Sequence, residues 1–97
     1  MAEQFWPNGQ LRFRKYWVNN QLHNLEGPAS EYWYKNAQLW ERSYWVNDLL
    51  HNLDGPAYER WHANGQLADQ QYWIEGTQYS KAEFLAQVYP TKSANKT

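Results

Sequence analysis

Residues 16–33 read YWVNNQLHNLEGPASEYW, and residues 44–61 read YWVNDLLHNLDGPAYERW. The two stretches lie 28 residues apart, and 13 of their 18 aligned positions are identical. The same spacing relates NGQL at 8–11, NAQL at 36–39 and NGQL at 64–67. Because a single short repeat cannot bury its apolar face alone, the pattern is typical of an array in which each copy packs on the next.

Two kinds of turn divide each repeat into strands. Asn8-Gly9 and Asn64-Gly65 predict type I′ hairpin turns, in which both central residues need a positive φ, and Ala37 breaks this rule in the middle copy. Further turns are expected at Asn19-Asn20, Asn47-Asp48 and Glu75-Gly76, and at the Gly-Pro steps 27–28 and 55–56. The strands between these turns are predicted at 10–18, 28–34, 38–46, 56–62 and 66–74, with short pieces at 21–23 and 49–51. The predicted fold class is all-β, an antiparallel β-hairpin repeat array that forms a meander sheet.

Alternation along the strand at 38–46 indicates that both faces of the sheet carry aromatic rings. The side chains expected on one side are Leu39, Glu41, Ser43 and Trp45, and those expected on the other are Trp40, Arg42, Tyr44 and Val46. Neither face is therefore predicted to be a purely polar, solvated one.

The pattern changes after the last hairpin. Ser80 and Glu83 have the spacing of a capping box, and apolar residues follow at a helical spacing. The sequence predicts a short helix at residues 81–88 that covers the open edge of the sheet. One repeat domain is expected over residues 1–90, with its hairpins at 5–79, and a polar disordered tail at 91–97.

Composition narrows the classes of function. The chain contains no Cys, which excludes disulfides, Cys-ligated zinc and thiol catalysis and fits a cytoplasmic location. A formal net charge of −1 provides no strong field for nucleic acid or anionic lipid. No secretory signal is visible, and no apolar run approaches the roughly 20 residues that a membrane span needs. Aromatic residues make up 19% of the chain, and patches of exposed rings usually contact a partner.

His23 and His51 are the residues most open to a chemical interpretation. Each precedes an acid, Glu26 or Asp54, by three positions, so a metal site or an acid–base pair is one alternative. The pattern lacks the tight spacing that metal ligands show. Because the residues repeat at equivalent positions, we predict instead that each packs beside its Gly-Pro turn and bonds to backbone. No catalytic residue, metal site or cofactor is predicted.

Glu31 and Glu59 are also equivalent by repeat. Two carboxylates could indicate glycoside hydrolysis, but repetition favours cross-strand pairing with Arg or Lys. The chain has no Gly-rich phosphate loop and no nucleophile elbow. The sequence therefore predicts a protein that is not an enzyme.

The repeat resembles the divergent MORN-type repeats. Tyr16-Trp17-Val18-Asn19-Asn20, Leu22-His23 and Gly27-Pro28-Ala29 are similar to the general form W-x-x-N-G-x-L-H-x-x-x-G-P-A of bacterial, phage and giant-virus proteins. The resemblance covers about residues 5–85. It implies a β-hairpin array that is used for protein contact and that contains no catalytic residue; some relatives resemble antitoxins.

We predict a non-enzymatic module that binds another protein. Its small size suits an inhibitor, an antitoxin, an immunity protein or an anti-CRISPR-like phage anti-defence protein, for which blocking a partner's surface suffices. The alternative is a module with ring-lined grooves for a sugar, a nucleotide or single-stranded nucleic acid. Binding of single-stranded nucleic acid needs basic residues among aromatic rings, and Arg12, Arg14 and Lys15 fit that pattern. The later copies are acidic, which argues against nucleic acid. Sheet edges left open also favour self-association, such as a homodimer.

The residues expected to bind the partner are those that differ between copies, because the shared positions build the scaffold. Trp, Tyr and Arg are the usual anchors of protein interfaces. The predicted partner-binding residues are Trp6, Arg14, Tyr34, Trp40, Arg42 and Tyr58.

Overall fold

The structure is a computed structural model that describes residues 1–90. The tail predicted at 91–97 lies outside the described residues. Within residues 1–90 the elements are β1 (Ala2–Phe5), β2 (Leu11–Lys15), β3 (Trp17–Val18), β4 (Gln21–Leu22), β5 (Ser30–Trp33), β6 (Leu39–Ser43), β7 (Trp45–Val46), β8 (Leu49–Leu50), β9 (Tyr58–Trp61), β10 (Leu67–Ile74), β11 (Thr77–Tyr79) and α1 (Lys81–Val88).

The strands form an antiparallel meander, as the sequence predicts. Seven of them make one sheet in the order β1-β2-β5-β6-β9-β10-β11. The pairs β3-β4 and β7-β8 form short two-stranded ribbons. Every pairing in the sheet is between strands that run in opposite directions, so the array grows by adding hairpins side by side.

The strand predictions are confirmed in the interior of the array and incomplete at its ends. The predicted strands 10–18 and 38–46 are each interrupted at a tyrosine. There the Tyr16 N–H donates to the Ala29 C=O at 2.9 Å, and the Tyr44 N–H donates to the Ala57 C=O at 2.8 Å. The edge strand β1 was not predicted, and β11 was implied only by the turn at Glu75-Gly76 and the hairpin span 5–79, because these short polar sequences carry no alternating apolar pattern.

Type I′ geometry occurs at one set of turns, those between the paired strands of each ribbon and between β10 and β11. Both turn residues there have positive φ: Asn19 (51°) and Asn20 (64°), Asn47 (50°) and Asp48 (66°), Glu75 (47°) and Gly76 (82°). Two consecutive residues with positive φ match the right-handed twist of the flanking strands. These turn positions are confirmed.

The Asn-Gly turns have a different geometry, and the type I′ prediction for them is wrong. The Gly9 N–H donates to the Trp6 C=O at 2.9 Å, and Gly9, unlike Asn8, has a positive φ, of 89°. This is a three-residue loop in which a tight turn is followed by a left-handed residue. The Asn8 side chain accepts a hydrogen bond from the Gln10 N–H at 2.9 Å, so asparagine is favoured here by its own side-chain bond.

Ala37 is strained in this turn, and we expect Ala37→Gly to stabilise the protein. Its φ is 71°, against 89° for Gly9 and 89° for Gly65 at the equivalent positions. A left-handed L-residue costs roughly 1–2 kcal/mol, which the greater entropy of an unfolded glycine offsets in part. The expected gain is about 0.5–1 kcal/mol in the free energy of unfolding, measured by urea denaturation. Gly9→Ala is the matched control, since a Cβ there would meet open space; it should lose a similar amount. A less stable Ala37→Gly protein would contradict this explanation.

Consecutive hairpins are joined by hydrogen bonds that recur with the repeat. Asn8 Nδ2 donates to the Lys35 C=O at 3.0 Å, and Asn36 Nδ2 donates to the Ala63 C=O at 3.0 Å. Trp6 Nε1 bonds to the Trp33 C=O at 3.1 Å, and Tyr34 Oη bonds to the Trp61 C=O at 2.8 Å. Each side chain thus holds the backbone of the next copy, which explains why Asn and a ring recur at these positions.

The molecule is thin and has little conventional core. Its extents are 60 × 35 × 17 Å, and the smallest of these is close to the thickness of one sheet with its side chains. The buried apolar residues among 1–90 are Ala29, Ala57 and Phe84, and the buried polar ones are Ser30, Ser43 and Glu59. Most strand residues are instead only partly buried, and their side chains interact with cross-strand neighbours on the faces of the sheet.

The C-terminal helix forms at the predicted residues, Lys81–Val88. Ser80 is the N-cap, its side chain accepts from the Glu83 N–H, and the Glu83 side chain accepts from the Ser80 N–H. The helix contacts β10 and β11. Phe84 places its ring 4.9 Å from that of Tyr72, so the helix is held mainly through one aromatic contact.

Candidate partner-binding face

The two faces of the sheet differ in how often equivalent positions of the repeat carry the same residue. On one face, called the repeated face, three sets of equivalent positions carry the same residue in each copy: Glu3, Glu31 and Glu59; Leu11, Leu39 and Leu67; Tyr16, Tyr44 and Tyr72. Two further sets change in one terminal copy only, where Phe5 stands for Trp33 and Trp61 and Gln70 stands for Arg14 and Arg42. On the other, called the variable face, equivalent positions carry Trp6, Tyr34 and His62; Gln4, Tyr32 and Arg60; Phe13, Glu41 and Asp69. A face whose residues change while its backbone repeats is the natural place for partner selectivity.

A β-bulge in each hairpin adds one residue to the variable face. The register of β5 and β6 moves from Tyr32↔Glu41 to Trp33↔Leu39, so Trp40 is the extra residue. The same shift leaves out Arg12 in the first hairpin and Ala68 in the third. Because a bulge places two residues opposite one, Trp40 lies on the side of Glu41 and Leu39 on the side of Arg42. The strict alternation predicted for residues 39 and 40 is therefore wrong.

Four rings form a continuous row on the variable face. The ring centroids of Phe13 and Tyr32 are 5.7 Å apart, those of Tyr32 and Trp40 are 5.7 Å apart, and those of Tyr34 and Trp40 are 5.5 Å apart. Such pairs contribute roughly 0.5–1.5 kcal/mol each beyond area burial, which keeps the rings in fixed positions. Trp40 is nevertheless 39% exposed, so the row presents a rigid apolar surface to solvent.

Three cations lie against these rings and against Trp6. Lys15 Nζ is 4.9 Å from the centroid of Tyr32. Arg12 Cζ is 4.7 Å and Lys35 Nζ is 5.3 Å from that of Trp6. Within residues 1–90 none of the three forms a salt bridge with an acid. We call this set the aromatic–cationic patch: Trp6, Arg12, Phe13, Lys15, Tyr32, Tyr34, Lys35 and Trp40.

Two acids of the variable face, Glu41 opposite Tyr32 and Asp69 in the third hairpin, are hydrogen-bonded to neighbouring side chains. Tyr58 Oη donates to Glu41 at 2.9 Å, and Gln71 Nε2 donates to Asp69 at 2.9 Å. Burial and the hydrogen bond to Glu41 raise the pKa of Tyr58, which keeps its hydroxyl protonated as the donor. The positive charge of the patch is therefore not cancelled by these carboxylates through direct contact.

The repeated face carries a row of alternating charges across the sheet. Arg14 pairs with Glu3 at 2.8 Å and lies 3.8 Å from Glu31, and Arg42 pairs with Glu59 at 2.7 Å. The predicted cross-strand pairing of Glu31 and Glu59 with arginine is confirmed. Burial raises the pKa of Glu31 despite the opposing effect of the neighbouring arginines. The guanidinium groups also lie over the Trp33 and Trp61 rings, at 5.7 and 5.3 Å, so they are engaged within the fold.

The structure divides the six predicted partner-binding residues between the two faces. Trp6, Tyr34 and Trp40 lie in the patch, and Tyr58 lies on the same face with its hydroxyl held by Glu41. Arg14 and Arg42 belong to the charge row of the repeated face. Sequence reasoning considered Arg12 and Lys15, beside Phe13, only for nucleic acid, and it missed Tyr32 and Lys35. The signal that could have found most of them is the change of residue type at equivalent positions of the repeat.

The histidines bond to backbone, as predicted, but to a different partner. The Asn47 N–H donates to His23 Nδ1 at 3.1 Å, and the Glu75 N–H donates to His51 Nδ1 at 3.0 Å. Each imidazole therefore accepts from the turn of the next repeat, and the prediction that it packs beside its own Gly-Pro turn missed this link. That turn is held by asparagine: Asn24 Nδ2 donates to the Pro28 C=O at 3.0 Å. Among residues 1–90 no group of three or more His, Asp or Glu is placed to hold a metal ion.

An open groove of about 580 Å³ lies on the repeated face between the loops 24–27 and 51–56. Arg42 and Glu59, which already pair with each other, form part of its wall. Of the described residues that line it, Tyr44 is the one that is Phe, Tyr or Trp. The ring-lined groove that the alternative function needs is therefore not found at this position.

No family model, curated protein or solved structure matches the chain. The resemblance to MORN-type repeats is thus carried by its sequence motif alone. In the described part of the chain, the helix is too short and too polar to cross a membrane.

Proposed function

We propose that this protein binds another protein through the variable face of its sheet and that the aromatic–cationic patch anchors the contact. The observation that carries the proposal is the division between the faces: one keeps the same residues in most copies and pairs its charges internally, and the other varies its residues around an exposed Trp40. Interface hot spots are enriched in Trp, Tyr and Arg, and the patch contains all three.

The size and shape of the sheet fit this role. A stable interface covers about 800 Å² on each partner, and a face of a molecule measuring 60 × 35 Å exceeds that area. Rings fixed by mutual contact lose little conformational entropy on binding. Such a surface is ready to bind without rearrangement.

The charge of the patch indicates the kind of surface that it contacts. Arg12, Lys15 and Lys35 are spread around the rings without a direct carboxylate partner among residues 1–90. A partner with an acidic surface around an apolar centre complements this arrangement, and its association rate should fall with ionic strength.

We expect the protein to act by covering a functional surface of its partner. No constellation for catalysis is predicted from the sequence, and a thin sheet of this size has a broad face with which to block a site. We therefore infer that the protein is a small inhibitor, antitoxin, immunity protein or phage anti-defence protein; the MORN-type resemblance supports a role in protein contact, and some proteins with such repeats resemble antitoxins. The test is whether the captured partner loses its own activity when this protein is added.

Trp40→Ala is expected to weaken binding of the captured partner by about 30-fold, or about 2 kcal/mol. The partner is first identified by affinity capture from cells of the source organism, and its Kd is then measured by calorimetry. Trp17→Ala is the matched control, because Trp17 is similarly exposed, at 42% against 39% for Trp40, but lies in the β3-β4 ribbon. Equal losses in both variants, or none in Trp40→Ala with the fold intact by circular dichroism, would show that the patch is not the anchor.

A second candidate is single-stranded nucleic acid, and one observation favours it: cations alternate with stackable rings in the patch. Proteins that bind single strands combine these two features. The discriminating measurement is a salt titration with a fluorescent oligonucleotide, in which the logarithm of the affinity falls steeply and linearly with the logarithm of salt concentration if phosphates are bound. No binding at low salt would eliminate this candidate.

A further inference from the structure

The side-chain hydrogen bonds that join one hairpin to the next are absent in the last described copy, although the equivalent donor residues are present there. Asn64 is equivalent to Asn8 and Asn36, and His62 is equivalent to Trp6 and Tyr34. The side chains of Asn64 and His62 donate no hydrogen bond within residues 1–90, whereas their equivalents donate to the next hairpin. The matching acceptors at the start of the array are the carbonyls of Phe5 and Pro7, which lie 28 residues before Trp33 and Lys35.

The apolar side chains of the repeated face show the same incompleteness at both ends. Phe5 is exposed in β1, whereas its equivalents Trp33 and Trp61 are half-buried. Leu67 is exposed in β10, whereas its equivalents in β2 and β6 are half-buried. Each end of the array thus exposes an apolar residue that the next hairpin covers in the interior.

The charge row also ends with complementary groups. In the interior an arginine always faces a glutamate of the next hairpin, as in the pairings Arg14↔Glu31 and Arg42↔Glu59. The row begins at Glu3 on one edge of the sheet and finishes at Gln70 on the other. Gln70 Nε2 already donates to Glu59 at 2.9 Å, which shows that this amide can substitute for an arginine as a donor to glutamate.

We propose that the outer edge of β10, at residues 67–71, binds strand β1 of a second copy of this chain. The register is that of the interior, with Gln70 opposite Glu3 of the second copy and Phe5 beside Leu67. Asn64 and His62 then donate to the carbonyls of Pro7 and Phe5. The aromatic contact between the helix and β10 is made by Tyr72, the residue of β10 that already pairs with Tyr79 of β11. Because the contact joins opposite ends of the molecule, it is head-to-tail and can continue into longer chains of copies.

A pair of substitutions at one exposed position tests the proposal. Gln70→Arg completes the charge row and should strengthen self-association, and Gln70→Glu places like charges opposite each other and should weaken it. We expect the two association constants to differ by about tenfold or more at low salt, measured by sedimentation velocity over a range of concentrations. Gln87→Arg and Gln87→Glu make the same charge changes on the exposed side of the helix and should not differ. Equal association of the two Gln70 variants, or monomers at all concentrations, would overturn the proposal.

Disulfide cross-linking shows which edges meet. Because the chain has no native cysteine, only the introduced cysteines can form a disulfide. Glu3→Cys protein is mixed with Gln70→Cys protein in a redox buffer. A predominant mixed disulfide between the two supports head-to-tail pairing. The two positions are five strand spacings, about 24 Å, apart within one molecule, so the bond must be intermolecular. A predominance of either homodimeric disulfide would show that like edges meet and would overturn the proposed geometry. Neither result depends on the variable face, so the proposed function is tested separately.

Discussion

Phe84→Ala is expected to lower the free energy of unfolding by about 3 kcal/mol. Phe84 is 2% exposed and is the one large apolar side chain among residues 1–90 that is buried. Its ring lies 4.9 Å from that of Tyr72. A helix of eight residues is too short to be stable by itself in water, so loss of the ring removes the contact on which Lys81–Val88 depends.

The measurement is urea denaturation followed by far-ultraviolet circular dichroism, with amide hydrogen exchange of the helix as a second observable. Leu85→Ala is the matched control on the same helix, because Leu85 is exposed; it should cost less than about 0.5 kcal/mol. If the helix undocks without unfolding of the sheet, protection of the Tyr89 N–H, which donates to the Leu85 C=O at 2.8 Å, should disappear first. Equal denaturation midpoints for the two variants would contradict the assigned role of Phe84.

Ala57→Leu is expected to destabilise the protein by about 2–3 kcal/mol through overpacking. Ala57 is 0% exposed. Its N–H donates to the Gln71 C=O at 2.9 Å, and its C=O accepts from the Tyr44 N–H at 2.8 Å. The backbone is therefore held from both sides and cannot move away to make room for a larger side chain. Ala29 occupies the equivalent place in the preceding repeat and is also 0% exposed, which explains why Gly-Pro-Ala recurs.

Ala63→Leu makes the same change at an exposed turn position whose equivalents are Pro7 and Lys35. It should change the free energy of unfolding by less than about 0.5 kcal/mol. Both variants are compared by urea denaturation and by the dispersion of their nuclear magnetic resonance spectra. An Ala57→Leu protein as stable as Ala63→Leu would show that space remains beside Ala57 and that the repetition of alanine has another cause.

Features encoded within a few residues could be predicted from the sequence. The capping box at Ser80 and Glu83 places the start of the helix, because both of its hydrogen bonds lie within four residues. The hairpin at Asn19-Asn20 follows from residues that tolerate positive φ. The Asn-Gly turns show the limit of local reasoning. Their position was predicted but their type was not, because each loop has three residues and only its last, such as Gly9, is left-handed.

Partners distant along the chain could not be read from the sequence. His23 accepts from the Asn47 N–H, 24 residues away, and this link exists only after the hairpins have stacked. Its imidazole therefore resembles a candidate ligand in the sequence and is a structural acceptor in the fold. Arg14 and Arg42 were predicted to bind the partner but lie outside the patch for the same reason. Their ion pairs with Glu3 and Glu59, which are distant in sequence, place them in the charge row of the repeated face.

The sequence by itself determined the repeat, the meander of hairpins and the terminal helix, because each follows from a local pattern and its recurrence every 28 residues. Only the tertiary structure decided which side chains share a face. One bulge residue in each hairpin shifts the alternation and moves Trp40 to the side of Tyr32, and a shift of one residue exchanges the two faces of a strand. The candidate binding surface thus depends on strand register, which is settled when the two strands of each hairpin pair and is not visible in their composition.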